Sequence, residues 1–460
     1  MRRAAAWMAI VLGWFLIAGP QAATGAPVKT RQQTAPVSCA GPYKGKRPTL
    51  NVLRELLSSH ERWLENRTDH NGRRADLCFA DLSGASFTGT NLDRIHLQGA
   101  VLRRASFLRA SLVQAHLTEA DLSEADLRES NLVGADLRHA QLIKANLGES
   151  LGNEAVLYGA NLRGARLPEA TMERAHFEDA DLSEADLSGA TLMDAYLYGA
   201  RLSHAKLVAV DLVGADLRRT DLRRANLRQA DLQGALLDGA NLEGAFLVEA
   251  ELDGAYFDEA NLSKADLQDA VLRGADLRYV EAQSAGLERA DLGNANLEGM
   301  NLTKARLESA NLTMAVLYKA NLKNADLRGA KLHRAVLINS IMAEANLQGS
   351  ILTEVYAPKS NLHRAQLRGA SLERANFVGA QLTATDLLQA DLSHANLQEA
   401  DLRAADLTGT KVEDANLQGA NLRGTNLAGA IGLTQRQIDG ACMDKTTRLP
   451  EELQLPPPCL

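Results

Sequence analysis

The chain has 460 residues, a formal net charge of −7 and only 4% aromatic residues. A charge this modest gives no reason to expect strong attraction to nucleic acid or to an anionic lipid surface. Length alone would suggest two or three domains, and the scarcity of aromatics excludes a core built on large rings.

Residues 1–23 read as a secretory signal peptide. Arg2 and Arg3 precede an apolar run from Ala4 to Ala18, followed by small residues and no stop-transfer charge. As a helix rising about 1.5 Å per residue, that run is shorter than a bilayer core. Cleavage is therefore the favoured reading; a retained anchor, and with it membrane contact, stays open. The expected location is periplasmic or secreted. Residues 24–48, with Pro27, Pro36, Pro42 and Pro48, read as an extended linker. Residues 49–70 are expected to form a helical cap with Leu50, Leu53, Leu56, Leu57, Trp63 and Leu64 along one face. His60 and Trp63 belong to that packing.

From residue 71 to 430 a five-residue period takes over. Of the 71 positions from Leu77 to Leu427, 60 are leucine, and the position two earlier is alanine in 56 of 71 units. Residues five apart drift round an α-helix and leave no apolar stripe. Small and large apolar residues two apart instead share one face of extended chain. A corner after every unit would let both point inward, and four corners would close a coil of 20 residues. "ADLSEADL" at 120–127 and again at 180–187, three coils apart, supports that number. Stacked coils bury their faces on their neighbours.

These A-(D/N)-L-x-x units resemble the pentapeptide-repeat family. The resemblance implies an all-β fold, a right-handed quadrilateral β-helix of about 18 coils, in which Leu stacks inside, Ala fits the corner and Asp/Asn satisfies turn backbone. At roughly 4.8 Å per coil the solenoid would be about 85 Å long. Residues 431–460 are expected to cap the far end, with Thr434 and Gln437 in capping-box spacing and Ile438 facing inward. Two of the four cysteines, Cys39 and Cys78, lie at one end, and Cys442 and Cys459 at the other. A disulfide needs Cα atoms within about 7 Å, so oxidation in an exported protein would pair Cys39 with Cys78 and Cys442 with Cys459.

No Gly-rich phosphate loop, H-E-x-x-H, C-x-x-C or G-x-S-x-G motif appears. We therefore expect no enzyme, no cofactor and no small-molecule substrate. Asp76, His96, His116 and Asp136 stand one coil apart and should form a ladder, a weak candidate for a divalent metal beside the commoner reading of exposed histidines. "SLGNE" (150–154), "VEAQS" (280–284) and "VYAPKS" (355–360) lose the large central residue. Tolerated bulges are expected there, with a kink or a recognition loop as the alternative, and Leu151 turning inward in place of Gly152.

Some intracellular family members mimic duplex DNA and bind a type II topoisomerase. Here Arg103, Arg104, Lys144, Arg163, Arg223, Arg224, Lys264 and Lys304 interrupt the acids on one face, which spoils a phosphate-like surface. A rigid envelope spacer is the other alternative. The favoured expectation comes from the face centred on Leu77, Leu97 and so on to Leu417. It carries Tyr158, Tyr196, Tyr198, Tyr256, Tyr279, Tyr318 and Tyr356, all the tyrosines of the repeat. Aromatics gathered on one strip mark a contact surface, here for an envelope protein or for a second copy of the chain in a homodimer.

Overall fold

The computed structural model describes residue 39, residues 41–66 and residues 72–457. Two compact units divide the chain, Met1–Ala40 and Gly41–Leu460. The signal peptide and linker residues 24–38 and 40 lie outside the described residues. Within those residues no helix is long and apolar enough to cross a membrane.

One repeat unit explains the whole stack. Asp121 N–H donates back to Ala100 O (2.9 Å), while Leu122 N–H and Glu124 N–H donate forward to Gln141 O (2.7 Å) and Ile143 O (2.9 Å). Ala125 N–H closes the corner on Leu122 O at 3.0 Å. The fifth donor, Ser123 N–H, is taken by the Asp121 carboxylate at 3.1 Å. All five backbone donors are thus satisfied, which is the physical reason for Asp or Asn before leucine. Each unit contributes a single parallel bridge to its counterpart on the next coil, from Asp76↔His96 to Asn426↔Arg448.

The corner is a type II turn, whose third residue needs positive φ. All 71 units end on such a residue, and only 23 of these are glycine. Forty-eight units therefore hold an L-residue such as Glu124 (φ 59°) in the left-handed region. The two repeat prolines, Pro168 and Pro358, occupy the second turn position, where their fixed φ fits. Both lie in units where the residue usually Asp or Asn is neither (Arg166 and Tyr356), and having no N–H themselves they leave no donor orphaned.

Inside, the leucine and alanine columns are buried from end to end, and Phe87 stacks on Phe107 at 5.0 Å. Where Ser or Thr replaces the corner alanine, its hydroxyl donates to a turn carbonyl, as Thr220 does to Leu217 O at 2.7 Å; Ser150 is the exception, its buried hydroxyl making no hydrogen bond among the described residues.

The three interruptions do not bulge, because the ladder and the corners run through each of them unchanged. Leu151 does not turn inward either: it stays 48% exposed. The space over Gly152 is filled from the next coil by Met172, whose Sδ lies 2.4 Å from where a Cβ on Gly152 would sit. At the other two sites the volumes swap within the unit. Val280 stands beside Ala282 and Val355 beside Ala357, all four buried, which keeps all but about one methylene of the usual core volume.

Helix α1 (Leu50–Glu65) carries Thr49 as its N-cap, whose hydroxyl accepts from Val52 N–H. Leu53 is buried, and Leu56 and Leu57 pack partly on the core. Leu50 departs from the expected apolar face. At the first helical position it is 74% exposed. His60 is fully buried; its Nδ1 accepts from Ala75 N–H (3.2 Å) and its Nε2 donates to Asp93 O (3.1 Å). At the far end, helix α2 (Gln435–Asp439) is capped as its spacing implies, with Thr434 N–H on Gln437 Oε1 at 2.8 Å. The same Gln437 donates through Nε2 to Val412 O (2.8 Å) and Ala415 O (3.0 Å), and Ile438 is buried. The ladder continues past residue 430 into the cap through Asn421↔Cys442 and Asn426↔Arg448.

Candidate interaction surface

Because the backbone path repeats with every coil, the seven repeat tyrosines share one face. Tyr158, Tyr198, Tyr279 and Tyr356 are exposed, at 41, 38, 52 and 41%. Tyr196, Tyr256 and Tyr318 are half-buried. The rings do not stand alone. His176 stacks on Tyr196 at 4.6 Å, and His139 meets Tyr158 edge-on at 5.5 Å. The guanidinium groups of Arg218 and Arg219 lie 6.0 and 5.9 Å from the Tyr198 ring, and Lys319 Nζ lies 4.9 Å from that of Tyr318. Such cation–π contacts hold the rings along the surface.

A tyrosine before leucine displaces the Asp or Asn that would serve the turn. At Tyr356 the proline two residues on removes the need. At Tyr256 a substitute comes from the previous coil, where Asp238 Oδ1 accepts from Asp258 N–H at 3.1 Å. The same device serves Glu173 from Asn153 and Arg273 from Asp253. Burial pushes the Asp238 carboxyl above its ordinary pKa, against the Asp258 N–H bond that pulls it down.

Counting only the residue before leucine misses a second apolar set. On the face centred on Leu92, Leu112 and onward, Met193 (37%) and Met314 (52%) join Leu151 and Ile351 in exposure. The signal of the two methionines lies in the two positions after leucine.

The histidine ladder forms as spaced, through Asp76↔His96, His96↔His116 and His116↔Asp136. The two imidazoles meet edge to face at 5.1 Å. Among the described residues, however, no three ligand atoms of this ladder lie within 4.8 Å of one another. His96 is pushed down to about 4 by burial, then by Arg74 and His116. That cluster packs beneath α1, where Arg74 also lies over the Trp63 ring at 5.9 Å. Cys39, Cys78 and Cys442 are each disulfide-bonded. Cys459, the expected partner of Cys442, lies outside the described residues.

A family model described as pentapeptide repeats (8 copies) matches residues 80–150, 155–354 and 360–431, more than half of the chain. The chain belongs to the pentapeptide repeat family. Pentapeptide repeat proteins form right-handed quadrilateral β-helices and are generally non-enzymatic structural or binding proteins. The two gaps in the match fall on the units of Gly152 and Ala357, where the core volume is redistributed. Among solved structures, the chain is similar to HetL from the cyanobacterium Nostoc sp., a pentapeptide repeat protein involved in heterocyst differentiation regulation. The identity is 30% over 55% of this chain and 89% of that one, with a TM-score of 0.18. It is also similar to QnrB1, a plasmid-mediated fluoroquinolone resistance protein, at 17% identity over 42% and 90%, TM-score 0.18. A third is a pentapeptide repeat protein of the Arabidopsis thaliana thylakoid lumen, at 26% identity over 25% and 72%, TM-score 0.14. No curated protein matches this chain.

Proposed function

We propose that this pentapeptide repeat protein is an exported, non-enzymatic scaffold that binds an envelope protein, or a second copy of itself, through the tyrosine face. The observation that carries the reading is the placement of all seven repeat tyrosines on one of four faces, four of them exposed. Local backbone chemistry favours Asp or Asn at two of those sites, Tyr196 and Tyr256, so the tyrosines there are not explained by folding. A rigid stack of about 18 coils acting as an envelope spacer is the alternative, and it requires no preferred face. DNA mimicry fits poorly. Many surface acids are neutralised within their own unit, as in Arg223–Asp221 and Arg403–Asp401, both 2.6 Å.

The test compares Tyr196→Ser/Tyr198→Ser/Tyr256→Ser with Arg109→Ser/Arg289→Ser/Arg368→Ser on another face. Neither set touches an inward side chain, and circular dichroism should report both as folded. Sedimentation velocity and crosslinking in envelope preparations should then show association lost only in the tyrosine variant. Equal association in both variants would remove the tyrosine face from the interface.

A further inference from the structure

A different edge of the stack concentrates positive charge. The two residues after each leucine from Leu82 to Leu422, taken once per coil, comprise 12 Lys/Arg and 4 Asp/Glu. The corresponding edges of the other three faces hold 6 against 7, 5 against 9 and 6 against 8. The segregation is invisible in the net charge of −7. It becomes a continuous stripe because the bridges stack the units in register on their counterparts in the next coil.

Part of this charge is neutralised locally, by pairs such as Arg104–Glu124 (2.8 Å) and Lys264–Glu243 (2.9 Å). Among the described residues, Lys144, Arg224, Lys304, Lys323 and Arg364 have no carboxylate in ion-pair contact, and all five are exposed. Lys144, Arg224 and Lys304 recur every four coils, about 19 Å apart at a coil spacing of roughly 4.8 Å. Near the first coils a shallow, open depression on the same edge is lined by Ser83, Gly84, Arg103, Arg104, Ser123 and Glu124.

We infer that this edge binds a linear acidic polysaccharide laid along the stack. The charge pattern calls for an extended polyanion, because cations spaced along a line gain most from a ligand that spans them. Arginine forks match carboxylates in geometry, and the interleaved Ser and Thr hydroxyls suit sugar hydroxyls. Successive pyranose rings repeat on a length comparable to the roughly 4.8 Å coil step. Single-stranded nucleic acid fits less well, since the edge carries no Phe, Tyr or Trp on which bases could stack. This surface is separate from the tyrosine face, and neither reading depends on the other.

The experiment titrates the purified protein with polygalacturonate oligomers by calorimetry, at low and at physiological salt. Single-stranded oligo-dT and neutral dextran are the comparison ligands. Polygalacturonate should bind, weakening as salt rises, while dextran should not bind and oligo-dT should bind at least about tenfold more weakly. Lys144→Gln/Arg224→Gln/Lys304→Gln/Lys323→Gln should lose at least about tenfold in polygalacturonate affinity. The charge-matched Arg109→Gln/Arg289→Gln/Arg328→Gln/Arg368→Gln should lose less than about twofold, as should Tyr196→Ser/Tyr198→Ser/Tyr256→Ser. Circular dichroism checks that each variant is folded. No binding of polygalacturonate, equal losses in the two charge variants, or oligo-dT binding as tightly as polygalacturonate would each overturn the assignment.

Discussion

Gly152 and Met172 show how a solenoid core is filled across coils rather than within a unit. Met172 is 1% exposed and lies where a side chain on Gly152 would go. Gly152→Leu, which restores the repeat consensus, should therefore destabilise the protein by about 1–3 kcal/mol through overpacking. Adding Met172→Ala should recover most of that loss, and denaturant unfolding of the single and double variants measures the coupling. Corner residues invert another habit. Ala209, Ala384 and Ala404 sit at φ 52°, 54° and 56° with side chains that make no hydrogen bond. Their left-handed backbone costs roughly 1–2 kcal/mol each, more than the roughly 0.5–1 kcal/mol entropic penalty of glycine. Each Ala→Gly change should thus raise stability by about 0.5–1 kcal/mol in the same assay.

At the scale of elements, α1 is tied to the first coils by the buried His60, which has to stay neutral. Both nitrogens of His60 are committed to backbone groups, Nδ1 as acceptor and Nε2 as donor. Protonating Nδ1 would set two donors against each other at the Ala75 N–H. Burial, and then Arg74 among the charges, lowers the pKa of His60, and the same two causes lower those of His96 and His116. A histidine whose folded pKa is depressed binds fewer protons folded than unfolded. Its contribution is therefore complete above the unfolded value near 6.5 and is lost as pH falls from there toward the folded one, which is about 4 for His96. Melting temperature should fall between about pH 6.5 and pH 4, and His96→Gln should flatten that slope. An unchanged slope would place the acid sensitivity elsewhere.

For the whole molecule, function on any face depends on the angular register of units far apart in sequence. Duplicating segment 201–220 in place adds one coil and leaves every later side chain on its face. Duplicating only segment 201–205 turns everything after it by one corner. Nearest-neighbour stacking is preserved in both, so both proteins should fold, with similar circular dichroism. The one-unit insertion separates Tyr158, Tyr196 and Tyr198 from Tyr256, Tyr279, Tyr318 and Tyr356. It should abolish association through the tyrosine face, and the whole-coil insertion should not. If the two insertions associate equally, a continuous strip is not required.

The five-residue period, the four-unit coil, the inward Ala and Leu columns, both cap helices and the gathering of tyrosines on one face were all legible in the sequence. Each follows from a pattern that repeats along the chain, and a period survives any local exception. Other features needed the tertiary structure because they depend on contacts between residues a full coil apart. Leu151 looks the natural replacement for Gly152 within its own unit, yet Met172 already fills that space from the next coil. Asp238 reads as an ordinary surface acid until the stacking places it on the Asp258 amide. Positive φ at all 71 corners leaves little trace in the sequence, because only 23 of them are glycine. The hydrogen bonds that each corner makes to its neighbouring coils hold the other 48 in a conformation their side chains disfavour.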